Sequence, residues 1–301
     1  MKRTQHYLTE IAQKNNFYYT PTEEEMKQMK KCFLDIYKDI AEYCERYHLL
    51  VMVAGGTTIG AVRHHGYIPW DDDLDLMMPR KDYMKFIQNF EKEYGKEYYI
   101  SSPEHDDGDS ATLFMKVFKK GTSCRKISYT RPEWFPINVD IYPIDYMPNN
   151  RYWRVLKCKL LDLVRILAIS VTMTDKNDTY KAVFMSSWKN KLYFYTRWTI
   201  GKICSVFGRK NWYKFHSRLA SSIKGSDWCS LPTCDLAIIE LEPKTVFFPP
   251  KEAIFEGIKV KIPNDVDAYL RKLYGDYMQI PPIEKREKHY YMEKPIFSSN
   301  K

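Results

Sequence analysis

An apolar run, Leu49 to Ala54 (LLVMVA), breaks at Gly55-Gly56 and is followed by Asp71-Asp72-Asp73-Leu74-Asp75-Leu76. No other stretch restricts the fold as strongly. The run reads as a buried strand. The glycine pair lets a turn of backbone approach a ligand closely. Thr57 to His64 reads as a short helix starting at that turn, with its N-terminal amides facing any phosphate bound there. From Asp73 to Met78 the residues alternate as a strand does, so Asp73 and Asp75 share one face while Leu74 and Leu76 enter the core. Two carboxylates held side by side repel unless a cation lies between them. Hard oxygen ligands suit Mg²⁺ or Mn²⁺, which bind through one or two carboxylates together with substrate phosphates. The segment points to a metal–nucleotide site.

The surrounding sequence lays out an α/β (α+β) core. Thr22-Glu23-Glu24-Glu25 has the form of a capping box, and Met26, Met29, Phe33, Ile36, Tyr37 and Ile40 follow at helical spacing, so a helix is expected over 22–47. Pro79 opens a second helix with Tyr83, Phe86, Ile87 and Phe90 on its apolar face. Strands are expected at 98–101, 113–118 and 137–142. The last holds Val139-Asp140-Ile141, a single carboxylate between β-branched residues. Such a carboxylate needs partners; a metal site supplies them, and a satisfied buried carboxylate is the plainer alternative. Pro143 and Pro148 read as closing this half, with Asp145 serving the turn between them. Residues 151–220 have few Pro or Gly and helical spacing throughout. Val246-Phe247-Phe248 and Ile258-Lys259-Val260 around Gly257 read as a hairpin. Asp265 caps a final helix carrying Tyr269, Leu270, Leu273 and Tyr274 and ended by Gly275.

The Gly-Gly turn, the DxD strand and the lone-Asp strand about 65 residues later resemble the nucleotidyltransferase fold shared with polymerase β. That fold is a mixed sheet with flanking helices, here with a largely helical basic insertion. More narrowly, IGAVRHHGYIPWDDDLDL, the later VDIYPID and the C-terminal YLRKLYGDYMQIPP are similar to the LicD/fukutin-related family, over most of the chain except its basic middle. The resemblance makes 1–150 a nucleotidyltransferase-like catalytic core, while charge and composition read 151–235 as a basic, aromatic-rich helical region that binds an acceptor or a membrane surface. Residues 236–301 become a β-hairpin and helix packing back on the core. The activity implied is transfer of a phospho-alcohol group, above all phosphocholine, from a CDP-linked donor such as CDP-choline. The acceptor is a hydroxyl of a cell-surface glycan or a lipid-linked glycopolymer precursor (lipopolysaccharide, teichoic acid or capsule), and CMP leaves.

The same resemblance assigns residues. Asp73, Asp75 and Asp140 form the catalytic carboxylate set, with Asp140 also placed to accept the acceptor's proton. The family places an acidic residue at Asp71, so the metal ligands become Asp71, Asp73, Asp75 and Asp140, with Mg²⁺ or Mn²⁺ as cofactor; Asp72 is read as structural. Gly55, Gly56 and Thr57 are phosphate contacts, or else a tight turn that any sheet might need. Arg63 holds phosphate bidentately or lies on the surface of its helix. Lys116, matching a family lysine that precedes a Gly-Thr pair (here Gly121-Thr122), projects from a strand as a phosphate ligand. Arg286 and His289 match a family tail motif without an assigned role, and none is assigned to His64 or His65.

Charge and cysteine usage complete the expectation. Residues 151–220 hold 15 Lys and Arg against 3 Asp, so this segment carries +12 of a net +9 and the remainder is mildly acidic. A basic, aromatic-rich region attracts lipid headgroups, anionic glycopolymers or nucleic acid; without an RNA-binding module, nucleic acid is the least expected partner. Seven scattered cysteines fit reduced thiols. With no apolar h-region and no stretch approaching the roughly 20 residues of a membrane span, the expected location is cytoplasmic, with peripheral contact on the inner face of the cytoplasmic membrane. Two alternatives use the same features. One is a nucleotidyltransferase that consumes a nucleoside triphosphate and releases pyrophosphate. The other is a non-catalytic protein binding a membrane or glycopolymer through its basic segment.

Overall fold

Thr22 closes the expected capping box with Glu25, and helix α1 runs from Glu23 to Arg46. Its buried stripe of Met29, Phe33, Ile36, Ile40 and Tyr43 lies against the sheet. The computed structural model of the protein describes residues 19–105, 110, 112–126, 131–175, 181, 184, 185, 187–283, 286 and 291–297; His289 falls outside them.

The chain continues through β1 (Met52–Val53), the short helix α2 (Gly55–Ile59), which runs on as a π-helical turn over Gly60–His64, then β2 (Asp75–Pro79) and α3 (Arg80–Tyr94). Next come β3 (Tyr98–Ser101), β4 (Met115–Lys119) and β5 (Asn138–Met147). The basic region supplies α4 (Arg151–Thr172), α5 (Trp188–Cys204) and α6 (Arg209–Ala220). Two short strands, β6 (Trp228–Ser230) and β7 (Glu242–Pro243), lead to α7 (Lys244–Phe247), the hairpin β8 (Lys251–Phe255) with β9 (Ile258–Ile262), and α8 (Val266–Tyr274).

Among the described residues the main sheet is mixed, in the order β1-β2-β5-β4-β3, with β6 added on β5 and β7 on β6. Among the described strands of this sheet only the β2–β5 pair is parallel. Strand alternation gives the sheet two different faces. Leu76, Met78, Val139 and Ile141 point to the core formed with α1 and α3, where Phe86, Phe90 and Tyr43 stack and meet edge to face. Met77, Tyr142 and Ile144 point the other way, onto Phe247, Tyr269 and Leu270 from the C-terminal segment. Asp75 and Asp140 belong to this second face.

Three expectations need correction. Pro143 does not end its strand: β5 runs on to Met147, with Pro143 opposite Met78. Pro143 falls between the residues paired with β4 (138–141) and those paired with β6 (145–147), so its missing N–H leaves no ladder bond unmade. Asp145 therefore serves no turn. It is fully buried in β5 and takes a two-pronged ion pair from Arg80. The hairpin pairs 251–255 with 258–262, whereas Val246 and Phe247 sit in α7, where Phe247 fills the core against Tyr269.

Candidate active site

Sheet register builds the site. Asp75 pairs with Asp140 across β2 and β5, and Asp140 pairs with Lys116 across β5 and β4. The three side chains form one row over neighbouring strands about 4.8 Å apart. Lys116 is buried, and its ammonium lies 2.5 Å from Asp140 Oδ1. Asn138 Nδ2 donates to the same oxygen at 2.5 Å. Lys116 thus reaches along the sheet to a carboxylate rather than outward, because a buried ammonium requires a counter-charge within reach.

The remaining carboxylates arrive from the loop ahead of β2. Asp73 precedes the strand rather than opening it, and ligand oxygens of Asp71, Asp72 and Asp73 lie within 4.8 Å of one another. Asp72 is the deepest; its carboxylate accepts from Tyr291 Oη at 2.8 Å, which anchors the loop to the C-terminal segment. Lys30 of α1 donates to the carbonyls of Ile68 and Pro69 at 3.2 and 3.1 Å and steadies the approach to Asp71. Arg286 stacks on Trp70 at 4.1 Å.

Electrostatics describe a site with too much negative charge for its own cations. Burial pushes the Asp75 carboxyl well above the usual range, Asp73, Asp140 and Asp71 push it further, and Lys116 opposes them. Asp71 is raised by burial and then by Asp73 and Asp72, against Lys30. The oxygens of Asp71, Asp72 and Asp73, within 4.8 Å of one another, are donors of the kind a hard divalent cation such as Mg²⁺ or Mn²⁺ takes. The residues fit the group the sequence implies.

The glycine turn closes the site. Gly55 has φ +49°, a left-handed conformation, and a Cβ there would lie 3.1 Å from Tyr274 Oη and 3.7 Å from Asp75 Oδ2. A Cβ on Gly56 would meet Asp71 Oδ2 at 3.2 Å. The Gly55 amide donates to Tyr269 Oη at 3.1 Å, and Thr57 Oγ1 accepts from the Asp75 amide at 2.9 Å. Thr57 therefore fixes the start of β2. Arg63 donates through Nε to His64 at 2.9 Å and through Nη1 to the Tyr277 carbonyl. Tyr269, Tyr274, Tyr291 and Asn138 complete the surroundings; Tyr269 and Tyr274 fall in the C-terminal segment that resembles the LicD/fukutin-related family, but the sequence ties none of the four to the carboxylates. Tyr269 and Tyr291 read as helix and tail residues, 214 and 219 positions from the Gly55 amide and the Asp72 carboxylate they bond. Gly55→Ala forces a Cβ into the left-handed region and is expected to cost roughly 1–2 kcal/mol, measured as a lower urea midpoint with unchanged m-value.

Residues 48–160 match the family model of the LicD/FKTN/FKRP nucleotidyltransferase domain, an interval that holds every carboxylate of the site. The chain carries a LicD-family domain. Beyond the domain, it is 27% identical over 274 residues to the lipopolysaccharide cholinephosphotransferase LicD of Haemophilus influenzae, covering 89% of this chain and 97% of that one. It is also 28% identical over 140 residues to an uncharacterized protein of Rickettsia prowazekii and 35% identical over 156 residues to one of Rickettsia typhi. The matched region spans about half of each rickettsial protein (52% and 45%). The LicD-family interval ends within α4, so α5, α6 and the C-terminal segment lie outside it. Even so, Tyr269 and Tyr291 from that segment touch the domain's glycine turn and aspartate loop.

Proposed function

We propose that the protein transfers a phospho-alcohol group, phosphocholine foremost, from a CDP-linked donor to a hydroxyl of a cell-surface glycan such as lipopolysaccharide, releasing CMP. The observation that carries this reading is the row Asp75–Asp140–Lys116, with Asp71 and Asp73 beside it, inside a LicD-family domain. Similarity over nearly the whole length of a cholinephosphotransferase supports the choice of phosphocholine. In the reaction the acceptor oxygen bonds to the phosphorus of the phosphocholine unit. The bond from that phosphorus to the oxygen bridging to cytidine monophosphate breaks, and the bridging oxygen departs on CMP.

Asp71, Asp73, Asp75 and Asp140 would hold Mg²⁺ or Mn²⁺. A cation held by them would supply charge neutralisation at the donor's phosphates. Asp140, oriented by Lys116 and Asn138, receives the hydroxyl proton of the acceptor. The backbone at Gly56 and Thr57 contacts the donor phosphates while Tyr269 holds Gly55 in place. Arg63 supplies positive charge facing the phosphates, while Lys116 acts through Asp140, which it pairs. Tyr142, tilted against Phe114 with ring centroids 4.5 Å apart, and Phe114, with Lys116 above it, form the aromatic surface beside the carboxylates.

CMP release from CDP-choline, CDP-ethanolamine, CDP-ribitol and CDP-glycerol, with a glycan acceptor and with Mg²⁺, Mn²⁺ or EDTA, tests the reading. CDP-choline is expected to give the highest rate, and EDTA to abolish it. Pyrophosphate released from CTP or ATP, with silence across the CDP panel, would instead establish nucleotidyl transfer.

A further inference from the structure

The basic region shows more than its charge. Helix α4 places Tyr152, Trp153, Leu156, Leu160 and Leu163 within one arc of about 120°, at 100° per residue, and all five are exposed, Trp153 at 65% and Leu156 at 54%. Its opposite arc, with Cys158, Leu161 and Val164, is buried in the protein. Farther along, the exposed arc runs under α5. Ser170, one helical heptad beyond Leu163, is fully buried, and Gly201 of α5 packs so tightly there that a Cβ would lie 2.0 Å from the Ser170 carbonyl oxygen. Helix α5 thus covers the C-terminal half of the arc and leaves the N-terminal half open.

The outer side of α5 repeats the pattern. Trp188 (70% exposed), Leu192, Tyr195 and Ile203 share one arc, with Lys189 on one edge and Lys191 and Lys202 on the other. Val206, 94% exposed, extends it past the end of the helix. No Asp or Glu occurs between 187 and 204, and the single carboxylate of α4, Asp162, faces inward to accept from the Ala237 amide. Apolar stripes of this size on a protein surface mark an interaction site.

We infer that the exposed faces of α4 and α5 seat the protein on an anionic lipid surface. The occupant follows from charge and composition. Lysines flank apolar stripes without any acidic residue, and Trp and Tyr, the residues suited to the boundary between headgroups and acyl chains, lie at their ends. No helix among the described residues is long and apolar enough to cross a membrane, so the helices lie in the interface plane. Seating by these helices holds the catalytic core beside a bilayer, where an acceptor with a lipid anchor would be presented.

Sedimentation of the full chain with vesicles of phosphatidylcholine, alone or mixed with phosphatidylglycerol, at low and high salt, tests this. The wild-type protein is expected to bind mixed vesicles at least about tenfold more tightly than neutral ones, with the preference erased by salt. Leu156→Glu with Leu163→Glu, and separately Trp188→Ser with Leu192→Ser, are expected to lose about tenfold or more in binding. Both pairs are exposed, so their thermal melts should match wild type. Three results would overturn the inference: no binding by the wild-type chain, unchanged binding in both double variants, or a dimer in sedimentation velocity that these substitutions dissolve. The last would assign the faces to a second copy of the chain.

Discussion

Asp75→Asn is expected to abolish CMP release while making the metal-free protein more stable. Asp75 faces Asp140 in register and feels Asp73 and Asp71 as well, with Lys116 as its cationic counterweight. Its folded-state pKa is raised, so the penalty is absent below the ordinary carboxylate range and grows as pH rises through and above it. The amide removes that penalty at neutral pH. In EDTA at neutral pH the variant is therefore expected to melt at a higher temperature than wild type. Divalent cation should reverse the ranking. Mg²⁺ or Mn²⁺ binding to the folded state alone raises the wild-type melting temperature by mass action, and Asp75→Asn should lose most of that rise. Melting both proteins with cation and with EDTA measures this without any substrate. A variant as metal-responsive as wild type would remove Asp75 from the ligand set.

The largest stability effect is expected away from the carboxylate row, at Arg80. Its guanidinium pairs with both oxygens of Asp145, at 2.8 and 2.7 Å, and donates to Glu104 Oε1 at 2.8 Å. Ser217 of α6 donates to the same Glu104 oxygen. Ser102 and Tyr83 bond its other oxygen. This buried cluster ties α3, β5, the loop after β3 and the basic helical region together. Asp145→Ala removes both Asp145 oxygens from the buried guanidinium and leaves it to Glu104, and is expected to cost about 3–5 kcal/mol. Asp145→Leu combined with Arg80→Met should lose much less than the sum of the single changes, because the Arg80–Asp145 charges leave together and the loss of Glu104's guanidinium is already counted in Arg80→Met. Urea unfolding of the four proteins gives the coupling directly. Additive losses would show that the pair acts as two separate contacts.

Local chemistry made much of this fold readable. The capping box at Thr22 and Glu25 satisfies helix-end amides within four residues, so its geometry needs nothing from elsewhere. Asp265 and Gly275 bound α8 for the same reason. The alternation from Asp75 to Met78 sends Leu76 and Met78 to the core because period two is intrinsic to a strand, whereas Asp73, expected on the strand beside Asp75, lies in the loop ahead of it. What stayed hidden depends on pairing across the chain. Pro143 looked like a strand end because its tolerance is set by where β4 stops and β6 begins. Asp145 looked like a turn residue because its partner, Arg80, lies in another element. Lys116 read as an outward charge because only the β4–β5 register shows Asp140 beside it. Tyr269 and Tyr291 look like core aromatics until the fold brings their hydroxyls to Gly55 and Asp72.

Mass analysis of a glycan acceptor after incubation with CDP-choline and Mg²⁺ or Mn²⁺ tests the proposed chemistry most directly. The acceptor is expected to gain one phosphocholine unit with CMP appearing in equal amount, and to gain nothing when Asp75 is replaced by Asn or the cation is chelated. An acceptor that instead gains a nucleotide, with pyrophosphate released from a nucleoside triphosphate, would contradict the account.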